Sequence, residues 1–101
     1  MKFEQTYKPD FDISKIDNLI KDMKPREAIE TCLDIAHYNF SKDLALEKEQ
    51  VPSAIAYCYA LIENIESKLH EFSRLDTVYS ESLSAIYGLR TFIMNLTEAC
   101  D

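Results

Sequence analysis

From residue 12 onward the apolar side chains recur at steps of three and four, the spacing that gathers them on one face of an α-helix. Ile13, Ile16, Ile20 and Met23 make the first such face. Lys24-Pro25 ends it, because a residue before proline is pushed out of the helical region. Pro25 then suits the first turn of a second helix, with Glu27 and Glu30 near the positive end of its dipole. Ile29, Leu33, Ala36 and Phe40 mark its expected buried face, and it is predicted to run to about residue 47. The polar stretch Glu47-Lys48-Glu49-Gln50 and then Val51-Pro52-Ser53 predict a turn and a restart, with Pro52 or Ser53 opening the next helix.

The third helix has the most regular pattern in the chain. Ile55, Cys58, Ile62, Ile65, Leu69 and Phe72 alternate steps of three and four without a miss. Its first half, Ala54 to Ile62, is apolar all round, so it must be covered on several sides and forms the central element. Capping residues cluster over 73–77, and Asp76-Thr77 predicts a fourth helix using Tyr79, Leu83, Ile86, Leu89, Ile93, Leu96 and Cys100. One unbroken helix over 53–100 is the alternative, but it would put Asp76, Arg90 and Thr97 on the third helix's seam. No segment alternates with period two, so strands are not expected.

The expected fold is a single all-α domain, a small antiparallel four-helix bundle. Its helices cover about 12–23, 25–47, 53–73 and 77–99, after an extended arm over 1–11. The length of 101 residues leaves no room for a second domain. With 47% hydrophobic residues, one Gly and three Pro, the composition belongs to a chain with a core and few breaks.

Charge and cysteine content narrow the function classes. The formal net charge is -7 and no run of Lys or Arg occurs, so direct nucleic-acid binding, which needs a basic footprint, is not expected. The N-terminus is too polar for a signal peptide, and the longest apolar run is far shorter than the roughly 20 residues of a membrane span. Three cysteines, Cys32, Cys58 and Cys100, fit neither a disulfide framework nor a zinc knuckle, so a reducing cytoplasmic location is expected. Cys32 and Cys58 are expected in the core and Cys100 at the surface. Gly88 is the only glycine, so no phosphate-cradling loop or dinucleotide fingerprint exists, and no Gly-x-Ser-x-Gly is present. No cofactor is expected.

Two sets of residues have metal logic. Glu30, Asp34 and His37 share one helical face, and Glu63, Glu66 and His70 share another. Carboxylates and imidazoles from facing helices make the di-metal sites of helical bundles. The first set is expected to look at solvent, opposite Ile29, Leu33, Ala36 and Phe40, while the second flanks the seam. The pairs Glu27-x-x-Glu30 and Glu63-x-x-Glu66 resemble the first metal motif of helical nucleotide pyrophosphatases, but the usual Glu-x-x-Asp partner is not evident. A solvated polar face is the simpler account of both sets.

The last helix lacks the charged face that a solvated helix normally carries. Between Thr77 and Thr97 only Glu81 and Arg90 are charged, whereas residues 1–50 hold 19 charged side chains. Away from its seam lies a row of small uncharged residues, Ser84, Gly88, Thr91 and Asn95, flanked by Tyr87, Phe92 and Met94. Small residues let another helix approach, and a mid-helix glycine costs about 1 kcal/mol relative to alanine. Tyr57 and Leu61 form a further apolar stripe on the third helix, either core or partner contact. The expected function is therefore non-enzymatic: an inhibitor, adaptor or regulator that binds another protein or itself, as a homodimer, through helix faces. A metal-dependent bundle enzyme using the Glu/Asp/His faces is the alternative, and an acidic mimic of nucleic acid is a third.

Overall fold

The computed structural model of the chain describes residues 11–40 and 46–99. All regular structure among them is helical: α1 (Ile13–Ile20), α2 (Pro25–Asn39), α3 (Val51–Leu69) and α4 (Thr77–Ala99). Each start has a local cause. Asp12 caps α1, its carboxylate accepting from the Ser14 N–H at 3.1 Å. Pro25 occupies the first turn of α2. A 3₁₀ turn, Lys48–Gln50, leads into α3 and is closed by a capping box in which the Glu47 N–H donates to Gln50 Oε1 at 2.8 Å. Asp76 opens α4, accepting from the Val78 N–H at 3.0 Å.

The long helices pack as a bundle around α3, which touches α1, α2 and α4. Arg26, at the start of α2, forms a two-pronged ion pair with Asp76, at the start of α4. At the other end Phe40, just past α2, meets Phe92 with ring centroids 4.9 Å apart. The two helices therefore run parallel, and α3 returns between their ends, antiparallel to both. Ala54, Cys58, Leu61 and Ile65 of α3 are fully buried, together with Ala28 and Ile29 of α2. Removing each Leu or Ile from water is worth about 1.5–3 kcal/mol, so this layer dominates stability. The short α1 buries Ile16 and Ile20 against α2 and α3 and makes no contact with α4 among the described residues. No helix among the described residues is long and apolar enough to cross a membrane.

The all-α bundle is as expected, while several element limits and faces differ. The second helix stops at Asn39, not near residue 47. Phe40 leaves helical geometry at φ -123°, and its ring joins Phe11, Tyr57 and Phe92 in an aromatic cluster, a tertiary contact that overrides local propensity. The buried residues of α2 are Ala28, Ile29, Cys32 and Asn39, whereas Leu33, Ala36 and Phe40 are only partly covered. The third helix starts at Val51 and ends at Leu69, which excludes one unbroken helix to residue 100. Phe72 lies in the following turn, 5.1 Å beneath the Arg26 guanidinium. In α4 the inward residues are Val78, Ser82, Ile86, Leu89 and Ile93, and Leu83 is 51% exposed. Tyr59 is also half exposed, so α3 keeps one face open. The first ten residues of the expected arm, and Cys100, lie outside the described residues.

Candidate functional site

Parallel packing of α2 and α4 on α3 leaves a groove of about 920 Å³ along their outer seam. From α2 it is lined by Glu30, Leu33, Asp34, Ala36 and His37, with Phe40 beyond the helix end. From α4 it is lined by Glu81, Ser84, Ala85, Gly88, Leu89 and Phe92, a run of helical steps spanning about 16 Å. The Arg26–Asp76 pair stands at one end of the two helices, and the Phe40–Phe92 contact lies toward the other. Leu33, Ala36, Ala85 and Phe92 are partly buried and form an apolar floor with the buried Leu89. Glu30, Asp34, His37 and Glu81 are exposed above it.

This arrangement corrects the expected direction of Glu30, Asp34 and His37. They are exposed, as the spacing implied, but they share the groove with Leu33, Ala36 and Phe40 instead of lying opposite them. At about 100° per residue the three polar side chains sit only about a quarter-turn from that apolar strip. The other acidic set, Glu63, Glu66 and His70, is exposed on α3, where Glu66 accepts from Arg90 at 3.1 Å. The two sets do not meet. Among the described residues no three His, Cys, Asp or Glu side chains come together in a way that would hold a metal ion.

Of the residues expected at a partner surface, Ser84, Gly88 and Phe92 line the groove, while Tyr87, Thr91 and Asn95 are exposed on α4. Tyr57 and Leu61 are not surface residues. Tyr57 is 5% exposed, its ring 5.5 Å from Phe11, and Leu61 is wholly buried, because α3 is covered by three helices. Gly88 is open: a Cβ built on it would meet nothing within 4 Å. The groove also holds Leu33, Ala36, Phe40, Ala85 and Leu89, which spacing assigned to core or left unassigned. For Leu33, Ala36 and Phe40 the signal is the breadth of apolar positions on α2, wider than one helix contact can bury.

Neither of the described cysteines is an activated nucleophile. Burial pushes the Cys32 thiol up to about 11 and the Cys58 thiol up to about 12, so neither is a thiolate at neutral pH. Hydrogen bonds from Arg26, and then from the Val78 N–H, hold the Asp76 carboxyl below its ordinary range, which fits a clasp between helix starts. The arrangement offers a shaped apolar surface with acidic edges and no assembled catalytic set among the described residues. No protein-family model, curated protein or solved structure matches the chain.

Proposed function

We propose that the chain is a non-enzymatic protein-binding module that docks a helix of a partner on α4 and in the groove between α2 and α4. The observation that carries this reading is Gly88. It lies mid-helix in the groove with open space where a side chain would be, so packing among the described residues makes no use of a glycine there. A helix seated against it would use the close approach that a missing Cβ allows. A second exposed apolar row on α4, away from the groove, supports protein binding in general. Leu83, Tyr87 and Met94 are 51%, 75% and 57% exposed, and Arg90, on the same helix, is paired to Glu66. Exposed apolar side chains grouped along one helix mark interaction surfaces more often than scattered ones.

Gly88→Arg and Thr91→Arg test this directly, since both side chains have room in the free chain. The expected outcome is an unchanged helical spectrum with loss of a protein that the wild type retains in affinity capture from the producing cells. Identical captured sets for the wild type and both variants would remove the reading.

A further inference from the structure

We infer that the occupant of the α2–α4 groove is a basic amphipathic helix of another protein, an inference that rests on the protein-binding role proposed above. The architecture leaves a place for it. Three long helices pack together, and α1, of eight residues and about 12 Å, covers α2 and α3 without reaching α4. The α2–α4 seam is therefore the one long-helix seam that no described helix covers, open to an added helix. A groove between parallel helices accepts a third helix by interdigitating side-chain ridges, and its span of about 16 Å matches about three helical turns.

Charge selects the kind of helix. The apolar floor is edged by Glu30 and Asp34 on α2 and Glu81 on α4, and no Lys or Arg lines the groove among the described residues. Of the described arginines on α2 and α4, Arg26 is engaged with Asp76 and Arg90 with Glu66. A helix with an apolar stripe and Lys or Arg on its flanks meets carboxylates on both sides of the floor, which favours encounter and register. A second copy of the chain is disfavoured by the same charges. In a two-fold contact each groove would meet the same three carboxylates with no Lys or Arg among the described residues of the patch, on a chain of net charge -7.

The test uses the full chain and two synthetic helical peptides, each with a leucine stripe, one flanked by lysines and its twin by glutamates. Fluorescence anisotropy is expected to show binding of the lysine peptide only, weakening about tenfold between about 20 and 200 mM salt. The variant Glu30→Gln/Asp34→Asn/Glu81→Gln, with an unchanged helical spectrum, is expected to bind it about tenfold more weakly at low salt. Wild-type affinity in that variant would overturn the inference, since the peptide would then be held by other acidic surface. Equal binding of both peptides, blocked by Gly88→Arg, would also overturn it while leaving the protein-binding role intact. Failure of both peptides, with a dimer that Gly88→Arg dissociates, would make a second copy the occupant. Failure of both with a monomeric chain, and captured proteins unaffected by Gly88→Arg, would remove the protein-binding role as well.

Discussion

Single residues in this chain are decided by small differences in helical phase. Taking about 100° per residue, Val78, Ser82, Ile86, Leu89 and Ile93 fall within an arc of about 80°, and Ser82 sits at its middle. Leu83 lies about 100° away and is half exposed, although hydrophobicity alone favours it over serine as the buried residue. Spacing therefore identifies Ile86, Leu89 and Ile93 and misses Val78 and Ser82. The Ser82 hydroxyl is fully buried, with no hydrogen-bond partner among the described residues. The buried thiols are a clearer case, because Cys32 and Cys58 fall on apolar faces in the sequence and are both buried in the core. In a Cys100→Ser background, a disulfide-exchange reagent at neutral pH is expected to leave the native chain unlabelled and to titrate two thiols after denaturation. Rapid labelling of the native chain would mean that the α2–α3 layer opens far more readily than its burial implies.

At the scale of elements, the starts of α2 and α4 are legible because Pro25 and Asp76 act within one turn of the helix, while α3 begins at Val51, ahead of Pro52 and Ser53, behind a Glu47/Gln50 capping box that spacing does not reveal. The end of α2 is not legible. No glycine or proline lies between Phe40 and Glu47, so nothing local predicts a stop there. The helix ends where Phe40 turns into the cluster with Phe11, Tyr57 and Phe92, contacts separated along the chain. Aromatic pairs of this kind add about 0.5–1.5 kcal/mol each beyond the area they bury. Phe40→Ala is therefore expected to lower unfolding stability by about 2 kcal/mol in urea titration, allowing for the ring's partial exposure. A change within about 0.5 kcal/mol, the size of an ordinary surface substitution, would show that the cluster does not hold the helix end.

For the whole molecule, an all-α bundle around the third helix could be read from periodicity, and so could the poverty of charge on α4. The groove could not. It belongs to two helices that are not consecutive, and it exists because α1 packs on α2 and α3 and no described helix covers the α2–α4 seam. In the sequence Glu30, Asp34 and His37 share a face with metal logic and Ser84 and Gly88 belong to a separate small-residue row, and nothing in the spacing shows that they line one depression. The central claim is that this depression is where a basic helix docks. Amide chemical-shift mapping of the chain during titration with the lysine-flanked peptide tests it most directly. The largest shifts are expected at Leu33, His37, Ala85, Gly88 and Phe92, with Ile13–Ile20 of α1 unmoved. Shifts centred on Leu19 and Tyr38 at the α1 side, or spread over every acidic surface, would contradict the account.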